Sequence, residues 1–258
     1  MTDDSVSIVI PVWNEDPRNL RSLLARLTVT LDRVAPSWEV VFVDDASLDP
    51  TRRTLEELAA ADERVRVLTL HRRGGQETAV VVGLLAARGD LVCTMDCDLQ
   101  NRPEEIPRLL ACLQRGWDLV LGSRRYRGDW SFRRWLSRLS TLLMNCRWGV
   151  ALEDWGCGLN GGKRVVFEAM RHDLRQWRGG PLKSTLARQV VRWTHVEVTH
   201  DPRRYGRSGY SWAELCHRGL QMLFRGNAVD TVLMTQALHS SRAGDASLAE
   251  MRQAPQLA

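Results

Sequence analysis

Five short apolar runs, residues 6–11, 39–43, 65–70, 91–95 and 119–121, are separated from one another by helical patterns. A strand buried on both faces reads as continuously apolar, and parallel strands need helical crossovers between them. This alternation constrains the chain more than any other feature. It predicts repeated β-α units, and hence an α/β, mostly parallel sheet with helices on both faces. Asp16-Pro17 is a helix start, followed by Leu20, Leu23, Leu24, Leu27 and Leu31 at helical spacing. Residues 51–61 and 76–87 read as helices, and Pro103-Glu104-Glu105 opens another. Past residue 122 the pattern loosens. There, residues 130–148 predict a helix with a basic face, 156–162 a glycine-rich irregular segment, 165–170 a short helix and 196–199 a strand. Residues 211–224 predict an amphipathic helix, and from about residue 237 a polar composition predicts a frayed tail.

With 258 residues, 44% of them hydrophobic and 26% charged, the chain has ample material for a core. Disorder, collagen and a small disulfide scaffold are excluded on that composition. No run approaches the roughly 20 apolar residues of a spanning helix. The start, Met1-Thr2-Asp3-Asp4, is acidic where a signal peptide is basic. The expectation is a cytoplasmic protein without a transmembrane segment, peripheral to the inner face of the cell membrane. The six cysteines form no C-x-x-C pair, which predicts reduced thiols. The net charge of +5 conceals an asymmetry: residues 1–122 carry 14 arginines and 20 carboxylates, a net of −6, so the remainder carries +11. A basic half suits phosphate or anionic lipid. Without a helix-turn-helix, zinc or RNA-binding signature it does not predict a nucleic-acid partner.

In a parallel sheet, ligands bind beyond the carboxyl ends of the strands. Asn14-Glu15, Asp44-Asp45, Asp96-Cys97-Asp98 and Ser123-Arg124 all fall there. Gathering carboxylates at one edge is costly without a cation or a donor-rich ligand, because like charges resist burial together. Two aspartates at i and i+2 leaving a strand suit one hard divalent ion, which prefers oxygen and bridges to phosphates.

The ordered set Ile10-Pro11-Val12-Trp13-Asn14-Glu15, Val43-Asp44-Asp45-Ala46-Ser47 and Met95-Asp96-Cys97-Asp98-Leu99-Gln100 resembles the inverting GT-A glycosyltransferases of family 2. The D-x-D-L-Q ending followed by Pro103-Glu104 is similar to the polyprenyl-phosphate glycosyltransferases among them, as is His200-Asp-Pro-Arg203-Arg-Tyr-Gly206-Arg-Ser208-Gly-Tyr210. Asp154-Trp-Gly-Cys-Gly158 resembles their D-x-G-C segment. The resemblance implies a single GT-A (Rossmann-like) domain over 1–225, with a nucleotide-binding half (1–122) and an acceptor half (123–225), followed by a C-terminal helix and tail (226–258). It implies that Pro11, Asn14, Glu15, Asp44 and Asp45 shape a nucleoside pocket, and that Gln76 joins the donor site. It further implies that Asp96, Asp98 and Gln100 hold Mg²⁺ or Mn²⁺, and that Arg124 and Arg203 contact phosphates while Ser208 orders its loop.

The implied reaction moves a sugar from a UDP- or GDP-sugar to a polyprenyl phosphate. The implied partners are that lipid at the membrane surface and a second copy of the chain or a membrane protein. A phosphate acceptor is ionised near neutral pH and needs no strong base. A sugar or other hydroxyl acceptor, the alternative, needs one, and Asp154 or Glu153 is the candidate. Two residues depart from the pattern: Arg73 stands where relatives carry Asn, and Gly209 where they carry Lys.

Overall fold

The computed structural model describes residues 4–124, 132–175, 181–203 and 205, with backbone alone for 132–137. Among them lie the strands β1 (Val6–Val12), β2 (Trp38–Asp44), β3 (Val65–Thr69), β4 (Leu91–Thr94), β5 (Leu119–Arg124), β6 (Asn160–Lys163) and β7 (Trp193–Val198). They form one sheet in the order β3-β2-β1-β4-β6-β5-β7. The helices are α1 (Pro17–Leu31), α2 (Thr51–Ala61), α3 (Gln76–Ala86), α4 (Ile106–Gln114), α5 (Phe132–Trp148), α6 (Arg164–Ala169), α7 (Arg171–Arg175) and α8 (Leu182–Gln189). The expected helix at 211–224, the tail and Ser208 lie outside the described residues.

Neighbouring strands are parallel except at β6, which runs antiparallel between β4 and β5. Alternate residues of each strand feed two cores. Ile8, Ile10 and Phe42 pack with Leu20, Leu23 and Leu27 of α1 and with Leu109 and Leu113 of α4. Val9, Val41 and Val43 pack on the other face with Val81, Val82 and Leu85 of α3 and Leu186 of α8. Each such fully buried side chain contributes about 1.5–3 kcal/mol. Helix α1 starts as its sequence dictates: Asp16 caps it by accepting from the Arg18 amide at 2.9 Å, and Pro17 occupies the first turn.

Two departures from the sequence expectation have physical causes. Within the segment 156–162, expected to be irregular, the chain enters a strand, β6 (Asn160–Lys163). Its glycines would make a poor strand alone, but a Cβ on Gly162 would lie 2.5 Å from Phe167 and one on Gly161 3.3 Å from Leu113. Packing demands bare backbone there and overrides propensity. Helix α8 was absent from the expectation because its eight residues carry too few apolar positions to show a period.

Parallel register levels the strand ends, with Val12 opposite Asp44. Among the described residues, the non-glycine residues with left-handed backbone are Asn14 (φ 47°), Ala46 (φ 57°) and Leu99 (φ 62°), each just beyond β1, β2 or β4. Such conformations are strained for L-residues and persist only where their surroundings hold them.

Helix α3 packs so closely on β1 that a Cβ on Gly83 would lie 2.2 Å from Val9 Cγ1. Gly83→Ala would gain about 1 kcal/mol of helix propensity but overpack a site whose cost is about 1–3 kcal/mol. The variant is therefore expected to unfold at lower urea concentration than the wild type, and an unchanged midpoint would contradict this packing.

Candidate active site

The loops after β1, β2 and β4 meet at one edge of the sheet, and the carboxylates they carry are buried: Glu15 is 7% exposed, Asp44 0%, Asp45 2% and Asp98 9%. Each has acquired partners. Asn14 accepts from the Leu48 amide (2.8 Å) while its own amide donates to Ser47 Oγ (3.0 Å), tying the β1 loop to the β2 loop. Asp44 Oδ1 accepts from the Ser47 amide at 2.9 Å. Its Oδ2 is buried without a hydrogen bond, facing the Arg52 guanidinium at 3.5 Å. Asp45 accepts from the amides of Gly74 (2.5 Å) and Gly75 (2.8 Å), so it pins the segment that leads into α3. Burial pushes the Asp45 carboxyl up, and those amides together with Arg73 pull against it. Arg73, the departure noted in the sequence, stacks 3.4 Å from the centroid of the Trp13 ring. Pro11 lies buried inside β1, opposite Val43, and shapes the sheet beneath the loops.

Asp96 and Asp98 leave β4 in different directions. Asp96 Oδ1 accepts from Gln76 Nε2 (2.8 Å) and Oδ2 from Asn101 Nδ2 (3.1 Å). Asp98 Oδ1 accepts from the Gln100 amide (3.1 Å), and Oδ2 pairs with Arg203 at 2.9 Å. Arg203 also reaches Glu15 Oε2 at 3.4 Å, so one guanidinium joins the ends of β1 and β4 across the fold. The Gln100 side chain donates to the Asp201 carbonyl at 3.3 Å. Asp96, Asp98 and Gln100 are thus neighbours but do not converge as one ligand set, and among the described residues no three of His, Cys, Asp and Glu are gathered to hold an ion. The donor chemistry nevertheless fits one. Burial, with Asp98 beside it, pushes Asp96 up to about 6, a cost that a hard cation relieves.

Arg203 arrives on a segment that is itself tied down. Asp201 forms a two-point pair with Arg102 (2.7 and 2.6 Å), and its amide donates to the Gln100 carbonyl at 2.8 Å. His200 sits in this segment with a buried Nδ1 that has no hydrogen bond, and burial lowers its pKa.

On the other side of Asp96, Asp154 clamps Arg124. Its Oδ2 accepts from Arg124 Nε (2.6 Å) and from the Arg124 amide (3.0 Å), and its Oδ1 accepts from Nη2 (2.8 Å) and from the Gly156 amide (2.8 Å). Burial works to raise the Asp154 pKa, but Arg124 and Lys183 bring it below the ordinary carboxylate value. The carboxylate named as a candidate general base is thus paired with Arg124, which it orients. Glu153, the other candidate, lies 3.8 Å from His195 Nδ1 with 57% of its side chain exposed. The glycines of this segment are needed for close approach. A Cβ on Gly156 would lie 2.5 Å from Arg124 Nη2, and one on Gly158 2.1 Å from Asp96 Oδ2.

Sequence reasoning missed two residues. Asn101, fully buried, holds Asp96 and directly follows Gln100 in the motif. Lys183, on α8, donates to the Asp154 carbonyl at 2.9 Å. Its only sequence signal is that the chain holds just two lysines among 36 basic residues. Among the described residues Cys93, Cys97, Cys112, Cys146 and Cys157 are free thiols, and burial pushes Cys93 up to about 12.

The model of the family described as "Glycosyl transferase family 2" matches residues 7–171. The chain is 41% identical over 208 residues to undecaprenyl-phosphate 4-deoxy-4-formamido-L-arabinose transferase of Pseudomonas fluorescens, covering 80% of this chain and 60% of that protein. It is 38% identical to the protein of the same name from Proteus mirabilis, covering 82% and 64% respectively. The chain thus spans less than two thirds of the length of these relatives. Its fold is similar to glucosyl-3-phosphoglycerate synthase of Mycobacterium tuberculosis, solved with Mn²⁺, UDP and glucosyl-3-phosphoglycerate (TM-score 0.61, 20% identity, 85% of this chain and 77% of that one). The same synthase solved with Mg²⁺ and UDP superposes with a TM-score of 0.59. Among the described residues no helix is long and apolar enough to cross a membrane.

Two measurements check this geometry. Asp154→Ala and Arg124→Ala each destabilise, and their double variant should fall short of the sum by about 1–3 kcal/mol, as for side chains in direct contact; additive effects would exclude the clamp. Asp96 titrates higher folded than unfolded, so its contribution to stability is present below its unfolded pKa near 3.8 and is lost as pH rises through about 6. In EDTA, the stability of the wild type relative to Asp96→Ala should drop by about 2–3 kcal/mol between about pH 4 and pH 7. A flat difference would show that Asp96 is not perturbed.

Proposed function

Because the chain belongs to glycosyl transferase family 2, we propose that it transfers a sugar, with inversion, from a nucleoside-diphosphate sugar to a polyprenyl phosphate at the cytoplasmic membrane face. The observation that carries this reading is the placing of two arginines of the second half beside the two aspartates that follow β4: Arg203 pairs with Asp98, and Arg124, held by Asp154, acts on Asp96. Carboxylates for a divalent ion beside fixed guanidinium groups suit a reaction in which a diphosphate leaves and a phosphate attacks. The names of the relatives at about 40% identity support undecaprenyl phosphate as the acceptor class.

In this reading residues 1–122 hold the donor and residues 123–225 the acceptor. The buried Asp44 Oδ2, without a hydrogen bond, would accept from a base N–H or a ribose hydroxyl. Asp45 keeps the Gly74-Gly75 backbone in position for the donor, and Arg73 stacked on Trp13 forms an outer wall. Asp96 and Asp98, with Gln100 nearby, would hold Mg²⁺ or Mn²⁺, which supplies charge neutralisation to the leaving diphosphate. Arg203 would exchange part of its pairing with Glu15 and Asp98 for phosphate oxygens, and Arg124, aimed by Asp154, would do the same from the other side. Ser208 would help to order the loop that follows Arg203.

An acceptor phosphate with a second pKa of about 6 is already a nucleophile near neutral pH. No proton has to be removed, and the Asp154 carboxylate, held low and saturated by Arg124 and Gly156, is not called on as a base. The hydroxyl-acceptor alternative requires that base, which is why the phosphate acceptor is preferred.

Incubation of the full chain with undecaprenyl phosphate, Mn²⁺ and radiolabelled UDP- or GDP-sugars is expected to give lipid-extractable label from one donor, abolished by EDTA. No lipid label from any donor, with label instead on a soluble hydroxyl acceptor, would overturn the reading.

A further inference from the structure

Lys183 is the least conventional side chain near the candidate site. Helix α8 enters beside Asp96 because the Leu182 amide donates to Glu77 Oε1 at 3.2 Å, tethering it to the first turn of α3, whose Gln76 holds Asp96. The Lys183 ammonium is partly buried and donates once, to the Asp154 carbonyl at 2.9 Å. Among the described residues its other two N–H donors have no protein acceptor, and no carboxylate lies within ion-pairing distance. Its surroundings are nonetheless charged: Asp96, Asp154 and Arg124 all act on it.

The two arginines of the site differ from it. Arg124 is neutralised by a two-point pair with Asp154, and Arg203 lies between Asp98 and Glu15. A half-buried ammonium lacking a direct counterion and two protein hydrogen bonds is placed to meet an anion. Packing alone does not account for it, because an apolar side chain of that length would fill the same space without the desolvation cost.

We propose that Lys183 is a substrate-contacting residue whose free N–H donors bind a phosphate oxygen of the reactants. The inference rests on the transferase reading for the identity of those reactants, and the shared chemistry is phosphate, from either the donor's diphosphate or the acceptor's monoester. Lysine suits this task as a compact point charge that adapts to a phosphate oxygen without bidentate geometry. Its fixed hydrogen bond to the Asp154 carbonyl places it on the same short segment that aims Arg124. The two cations would therefore close on a phosphate together.

The test uses the full chain and three variants. Lys183→Gln keeps an N–H donor for the Asp154 carbonyl and removes the charge; Lys183→Arg keeps the charge; Lys183→Met serves if the glutamine variant does not fold. Affinity for UDP with Mn²⁺ is measured by calorimetry, and KM for farnesyl phosphate in micelles is measured by product formation. The glutamine variant is expected to lose about 10- to 100-fold in one of the two, the size of a charge-assisted hydrogen bond, with substantial recovery in the arginine variant. A loss confined to UDP assigns the contact to the donor diphosphate, and a loss confined to the acceptor KM assigns it to the acceptor phosphate. Both parameters within twofold of wild type, or a loss that arginine does not restore and that accompanies a lowered Tm, overturns the proposal. If the wild type makes no product, the transferase reading fails by itself, and pyrophosphate with Mn²⁺ decides on Lys183. A rise in Tm seen in the wild type and missing in the glutamine variant supports the site; an equal rise, or none in the wild type, overturns it.

Discussion

The structure depends on how buried carboxylates are kept charged or neutral at one edge of a parallel sheet. Glu15, Asp44, Asp45, Asp96 and Asp98 end or follow β1, β2 and β4; all are buried but Asp96, which is half-buried. A parallel sheet with level strand ends concentrates these groups without any choice on the part of each loop. Every one must then find donors or a cation, because an isolated buried carboxylate is too expensive. Asp45 finds backbone amides, Asp98 finds a guanidinium, and Asp96, with two side-chain amides, is pushed up to about 6. The C-terminal part of the described chain is organised by the same demand. Asp201 locks to Arg102, and this brings Arg203 to the two carboxylates that most need it.

The sheet and its helices were legible because both-face burial forces continuous apolar runs and amphipathic crossovers force a helical period. Asp16-Pro17 announced α1 for a local chemical reason, a side-chain cap and a residue without an amide hydrogen. The part that was not legible is the part decided by neighbours distant in sequence. Strand β6 contains two glycines in four residues and is a strand only because Phe167, Leu113 and Cys93 leave no room for side chains.

The candidate site divides in the same way. Residue types at strand ends were readable: Asp44, Asp96 and Asp98 lie where a ligand edge needs oxygen. Their employment was not readable. Asp154 is paired with Arg124, because Arg124 lies on the neighbouring end of β5 and its fork matches the carboxylate. Gln100 turns to the Asp201 carbonyl, while Asn101 turns to Asp96. Adjacent amides in one motif thus serve opposite sides of the loop, a choice made by the left-handed turn at Leu99 and not by residue type. The spacing of the motif is a local property, but the direction of each side chain is a property of the packed loop.

The internal pairing also bears on how such a site could receive a charged ligand. With Asp96, Asp98, Glu15 and Asp154 opposed by Arg203, Arg124 and Lys183, the described cluster carries near-balanced charge while using several of its binding groups on one another. On the proposed function, a cation arriving with a diphosphate would bring both signs at once, so that Asp98 could exchange Arg203 for the ion while that guanidinium passes to a phosphate oxygen. A diphosphate alone would meet these carboxylates with no cation between them. On that reading, selectivity for a metal–diphosphate pair over free diphosphate would follow from the cost of burying an unmatched charge.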